Sequence, residues 1–255
     1  MGIGAAIATT LASHGAQLAL FARSEDKLEE LGKQIVRKAP ATKIVTQAVD
    51  IRDYEAVKQA VDDVMKAMGK IDVLINNAGL ALGAPSPFHA LPVSQVDQTH
   101  LTNTSGVLYT THAVLNASMV PRNSGTVLNV SSTTALEAPP FPGEVVYHAS
   151  KAWLEGFSNA LRNELVATDV RVLVLRPGVV ATHFHRQRVG FDDAKYDGFV
   201  QGFDPLDAQT VADAAAYMLM QPLNISVKAL DVVPTAQRSL TVFDREWTSR
   251  EHRDA

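Results

Sequence analysis

Over most of its length the chain alternates between short apolar runs and amphipathic helical stretches. That pattern restricts it to a parallel sheet with helices on both faces. Gln17 to Ala22, Lys43 to Val49, Ile71 to Ile75, Gly125 to Val130, Val170 to Leu175 and Lys228 to Val233 read as strands. Ala5 to Ala12 reads as a first helix, stopping near His14-Gly15. Ser24 is placed to cap a second, with Glu25 and Asp26 in its first turn and a stop before Pro40. Asp53 is placed to cap a third that runs through Met68 to Gly69. Ser94 opens a long helix to about Val120, Val145 to Thr168 forms another, and Asp207 opens one to about Met220. Residues 80 to 92 read as a loop, and residues 179 to 205, weakly periodic and rich in charge, as a mobile lid. No repeat, low-complexity run or linker divides the 255 residues, so 1–255 are expected to form a single domain. The expected fold is a doubly wound parallel α/β sheet of Rossmann type.

The composition removes several classes of function. A formal net charge of −4 leaves no nucleic-acid footprint. With no cysteine there is no disulfide and no thiolate zinc site. No apolar run is long enough to span a membrane, and position 6 is Ala, so Met1-Gly2 does not complete a myristoylation pattern. A cytoplasmic protein is expected. His183 and His185 have no partner set of carboxylates or cysteines, so no metal site is expected.

The chemistry centres on Tyr147-His148-Ala149-Ser150-Lys151. Four residues of separation in a helix put Tyr147 and Lys151 on one face. A neighbouring cation favours the phenolate, which a free tyrosine reaches only near pH ~10. Such a tyrosine serves as an acid or base near neutrality. Upstream, the hydroxyls of Ser131 and Ser132 offer hydrogen bonds to a reacting oxygen.

Together with Asn76-Asn77-Ala78-Gly79, Asn103 and Pro177-Gly178, these residues resemble the classical short-chain dehydrogenase/reductase family, in the family's order, from Gly2 to about Pro234. The resemblance implies oxidation or reduction at a secondary alcohol or carbonyl, with Tyr147 as acid/base and Lys151 as its partner, also bound to the nicotinamide ribose. It implies Ser132, the second serine of the pair, as the residue that orients the substrate oxygen, and Asn103 as holder of a proton-relay water. Ser132 and Tyr147 are fifteen residues apart, slightly more than the family's usual spacing; the extra length lies in the loop with Pro139, Pro140 and Pro142.

For the cofactor, Gly2-Ile3-Gly4 lead into the first helix, where glycines admit a pyrophosphate to the helix N-terminus. The residue about twenty positions on distinguishes the dinucleotides. Arg23, followed by Ser24, stands nineteen residues after Gly4; an arginine clamps a 2′-phosphate where an acidic residue would hold a ribose hydroxyl. NADP is therefore expected. By resemblance Asp50 touches the adenine, Asn77, Ala78 and Gly79 shape the adenosine side, and the run from Pro177 and Gly178 through Val180 to Thr182 meets the nicotinamide.

Leu80-Ala81-Leu82-Gly83, the lid and Val232-Val233-Pro234-Thr235 are similar to a branch of NADP-dependent dehydrogenases acting on 3-hydroxy acids, serine included. Such substrates carry a carboxylate, and of the lid arginines Arg186 and Arg188 the second lies nearer the branch's lid arginine. The lid departs from the branch from His183 onward, which leaves open a neutral ketone or aldehyde as substrate. Family resemblance also implies a homo-oligomer, a dimer or tetramer, through helices 94–120 and 145–168. The family pattern has a strand before the glycines, and this sequence begins inside that motif. The expectation is a sheet lacking its first strand, a poorly soluble chain with weak cofactor binding, and a longer reading frame as the working protein; an inactive truncated scaffold is the alternative to an enzyme.

Overall fold

A computed structural model describes residues 2–182, 184 and 193–250. Helix α1 (Ile3–Ser13) leads into strand β1 (Leu18–Ala22), then α2 (Glu25–Lys38), β2 (Ile44–Ala48), α3 (Tyr54–Met68) and β3 (Val73–Asn76). Helix α4 (Val93–His100) continues through a π-helical turn, Leu101–Ser105, into α5 (Gly106–Val114) and a second π turn, Leu115–Met119. Strand β4 (Ser124–Val130), helix α6 (Val145–Glu164), strand β5 (Asp169–Pro177), helices α7 (Asp193–Val200) and α8 (Ala208–Leu219), and strand β6 (Ala229–Val232) complete the order.

Two of the expected helix starts carry side-chain caps. Asp53 Oδ1 accepts from Ala56 N at 3.1 Å and Asp207 Oδ1 from Thr210 N at 2.7 Å, each satisfying an orphan amide of a first turn. Ser24 stands at the N-cap of α2, but its side chain makes no cap hydrogen bond. The long helix begins at Val93 after Pro92, one residue ahead of the expected Ser94, because proline presets the entry to a first turn. The helix through Tyr147 ends at Glu164, four residues early.

All observed strand pairs are parallel. Register places Val127 opposite Val172, and Leu128 and Val130 opposite Leu173 and Leu175. The pleat sends these two sets to opposite faces. Val127 and Val172 join Val57 and Val61 of α3, Ala113 and Val114 of α5 and Leu161 of α6 in one core. Leu128, Leu173 and Leu175 join Ile7 of α1 and Val211, Ala215 and Met218 of α8 in the other. Each fully buried side chain of this size stabilises the fold by roughly 1.5–3 kcal/mol. The double-faced burial explains why the strands read as continuous apolar runs.

The strands form two ladders: β1 with β2, and β3-β4-β5-β6. Among the described residues no strand pairs with the second edge of β1 or of β3. Leu18 to Ala22 and Val73 to Asn76 all line one cavity of about 1700 Å³. Successive side chains alternate faces, so an unbroken lining run means that the strand edges themselves face the space. This is the arrangement the sequence predicts for strands 17–22 and 71–75.

Hydrogen-bond alternation assigns the amides. Leu18 N donates to Lys43 O and Val49 N to Ala22 O, so the even residues of β1 face β2, and Ala19 and Phe21 point into the cavity. Thr126 N donates to Asp72 O, so Val73 and Ile75 point there from β3. Hydrogen exchange read by NMR should find the amides of Ala19, Phe21, Val73 and Ile75 exchanging at least tenfold faster than those of Leu20, Ala22 and Leu74. Equal protection in both sets would mean that these edges are covered in solution.

Candidate active site

The site lies where β4 and β5 end beneath the start of α6. Apolar i, i+3 and i+4 positions bury one face of α6, and Tyr147, Ser150, Lys151 and Leu154 fall on it. Lys151 Nζ donates to Val130 O at 2.8 Å, closing the last carbonyl of β4. Its ammonium stands 5.8 Å from the centre of the Tyr147 ring. Lys151 is 6 % exposed, and this burial lowers its pKa from the ordinary lysine value to about 8, against an upward pull from Glu155.

Ser132 caps a short 3₁₀ turn, Thr133–Ala135, and its Oγ accepts from Thr134 N at 3.2 Å. It lines the cavity with Tyr147 and Lys151. The neighbouring Ser131 is buried, with a hydroxyl that has no hydrogen-bond partner. His148 Nδ1 donates to Thr134 O, tying the serine loop to the helix that carries Tyr147.

Asn103 sits in the π-helical turn between α4 and α5, a local widening that recurs at functional sites. The sequence pattern gives it a water to hold; the structure gives its amide protein partners. Oδ1 accepts from Leu80 N at 2.8 Å, and Nδ2 donates to Leu80 O at 2.8 Å and to Ser150 Oγ at 3.0 Å. Both amide protons are thereby used, and Asn103 pins the chain just after Asn76-Asn77-Ala78-Gly79. A Cβ on Gly79 would lie 3.5 Å from Asn103 Oδ1 and 3.7 Å from Lys151 Nζ, so the three meet at one point.

The other end of the cavity suits a phosphate-bearing dinucleotide. The N-terminus of α1 faces it through Gly2, Ile3 and Gly4, with no side-chain cap and no acidic residue in the first turn. A Cβ at Gly4 would push against the Asn77 side chain, so glycine lets that side chain lie directly on the start of the helix. Ala78 and Gly79 line the same wall. Arg23 lies exposed at the end of β1, on the cavity wall, and its charge reaches Asp50. Ser24 is also exposed.

Asp50 is held by Arg52, whose Nε donates at 2.9 and 3.0 Å and whose Nη2 donates at 2.5 Å. This pairing lowers the carboxyl pKa and sets the direction of a group expected at the adenine. At the end of β5, Pro177, Gly178, Val180 and Thr182 all line the cavity. Gly178 N donates to Val232 O at 2.8 Å, and a Cβ on Gly178 would collide with Gln237. Gln237 Oε1 accepts from Val179 N at 3.0 Å, holding this turn in place. Phe184 stacks obliquely near Tyr147, ring centres 5.5 Å apart, and gives the reacting end an apolar wall. His148, Phe184, Arg52 and Gln237 carry no motif that singles them out. Arg186, Arg188, His183 and His185 lie outside the described residues. Among those described, no group of three or more His, Asp or Glu is placed to hold a metal, and no helix is long and apolar enough to cross a membrane.

With this geometry established, comparison decides the family. The short chain dehydrogenase profile matches residues 1–191, three quarters of the chain. The chain belongs to the short-chain dehydrogenase family. Among its relatives, sulfoacetaldehyde reductase 2 of Chromohalobacter salexigens is 34% identical over 96% of this chain and 95% of that protein. The NADP-dependent 3-hydroxy acid dehydrogenase YdfG of Escherichia coli K12 is 31% identical over 92% of each. Among solved structures, the closed form of serine dehydrogenase complexed with NADP+ superposes with a TM-score of 0.84 at 31% identity, covering 93% of each chain. The branch named by the sequence resemblance is the one these relatives occupy.

If Tyr147 carries the proton, Tyr147→Phe should lower kcat by ~10²-fold or more, within the range general acid–base catalysis supplies. Dinucleotide affinity, by fluorescence titration, should stay within a few-fold of the native value. Turnover retained within a few-fold would reject the assignment.

Proposed function

We propose that this enzyme interconverts a secondary or primary alcohol and the corresponding ketone or aldehyde, with NADP as cofactor and a small anionic molecule as substrate. The observation that carries the reading is the convergence of Tyr147, Lys151 and Ser132 on one end of a cavity whose other end presents a bare helix N-terminus and Arg23. The nicotinamide supplies the hydride chemistry when bound. Tyr147 donates a proton to the carbonyl oxygen in reduction and takes it from the alcohol in oxidation. Lys151, as a cation, favours the phenolate, and in the family's manner holds the nicotinamide ribose. Ser132 donates a hydrogen bond to the same substrate oxygen and stabilises charge developing there. Asn103 keeps the Asn76–Gly79 wall and Lys151 in register, and by family resemblance also holds a relay water. Phe184 excludes water beside Tyr147.

The names of the relatives narrow the substrate by chemistry. A 3-hydroxy acid, serine and sulfoacetaldehyde each carry an anionic head one carbon removed from the carbon that reacts. That shared shape, carboxylate or sulfonate, is the proposed substrate class. Arg188 of the lid is the proposed partner of the head group, since guanidinium pairs bidentately with such oxyanions. Arg23 is proposed to read the 2′-phosphate. The exposed Leu101 and Leu108 on the 93–119 helix suit a homo-oligomer built on that face.

The test is kcat/KM with NADPH and NADH against 3-oxo acids, sulfoacetaldehyde and neutral ketones of equal length. NADPH with the anionic carbonyls should be preferred by at least tenfold, and Arg23→Asp should narrow the NADPH/NADH ratio by about tenfold or more, the worth of a charge-assisted hydrogen bond. A preference for neutral ketones would overturn the substrate class, and an unchanged cofactor ratio would overturn the role of Arg23.

A further inference from the structure

Glu155 lies one helical turn beyond Lys151, on the same face of α6. Its side chain is 17 % exposed, and Oε1 is buried with no hydrogen-bond partner. A buried carboxylate oxygen left without a partner is costly, and its retention calls for a compensating charge. Its charge acts on three cations. Arg176 on β5 reaches Oε2 at a loose 3.4 Å, while giving its Nε to Asp231 of β6 at 2.5 Å. Arg162, two turns along α6, spends its guanidinium on Val172 O at 3.1 and 2.9 Å and on Asn159, yet feels the Glu155 charge. Lys151 is the third. Its Nζ has a neutral carbonyl as hydrogen-bond partner, and Asp231 is committed to Arg176.

We propose that Glu155 is a positioning residue for the reaction, the buried counter-charge that keeps Lys151 cationic beneath Tyr147. The inference rests on the proposed roles of Tyr147 and Lys151. Burial alone pulls Lys151 toward the neutral amine, and the pull of Glu155 opposes it. Without that anion the lysine loses its proton at lower pH, and with it the ability to favour the phenolate.

The test reads Lys151 directly and needs no turnover. Protein labelled with carbon-13 at the lysine ε position is titrated by NMR, with the Lys151 signal assigned by Lys151→Arg. The native midpoint should fall near about 8, the balance of burial against the pull of Glu155. Glu155→Gln should lower it by about one pH unit or more, the size of effect a close opposite charge exerts. Asp231→Asn, which loosens the same arginine from β6, should leave it in place. If Glu155→Gln does not fold, Glu155→Asp keeps the charge farther away and should show a smaller fall of the same sign. An unchanged midpoint in the folded Glu155 variant, or equal falls in the Glu155 and Asp231 variants, would overturn the proposal. Because the readout is a titration, it stands even if Tyr147→Phe remains active; that result would instead sink the catalytic reading on which the role of Glu155 rests.

Discussion

An ammonium group buried at the junction of a strand end and a helix is the constraint on which the site depends. Lys151 Nζ is held on Val130 O, so the helix bearing Tyr147 cannot shift along β4 without breaking that bond. Losing one partner of a buried charged group costs several-fold more than a surface hydrogen bond contributes. The surrounding contacts serve this fixed point. Asn103 braces Ser150 and Leu80 around it, and His148 braces the serine loop. Asn76 binds β3 to β4 and α5 through Asn129 and Thr111.

The same logic joins the two ends of the cavity. Parallel strands bring all their C-terminal ends to one edge of the sheet, so residues far apart in sequence share one wall. Gly4 comes from α1, Asn77 from the stretch after β3, Ser132 and Lys151 from the connection between β4 and β5, and Gly178 from the stretch after β5. Such a cavity has room for an extended cofactor and a small substrate end to end. Its extension between the edges of β1 and β3 makes it larger than the dinucleotide and substrate ends alone define.

Much of this was legible in the sequence because the signals are local. Strand and helix periods, the Asp53 and Asp207 caps, Tyr147 with Lys151 and the Asn76–Gly79 run all lie within a few residues of one another. What escaped is long-range or nonspecific in type. Gln237 reaches Val179 across 58 residues, and Leu240 N reaches Glu137 across 103. Arg52 looks like any solvated arginine until it is seen gripping Asp50. The motif that singles out Asn103 is local, but its amide is spent on backbone and Ser150 partners that no spacing rule reveals. Glu155 was invisible for the same reason: a glutamate on an amphipathic helix reads as surface, and its partner Arg176 comes from β5, 21 residues away.

The site works as described only if Lys151 acts through its charge. The direct measurement is the pH dependence of kcat/KM for alcohol oxidation in the native enzyme and in Lys151→Met. Oxidation needs the base form of Tyr147, so the native rate should rise with pH through a single ionisation. Removal of the cation should move that midpoint upward by about one unit or more, beyond any fall in the plateau rate. A midpoint that stays in place while only the plateau falls would show that Lys151 positions the cofactor without tuning the proton transfer, and would contradict the account.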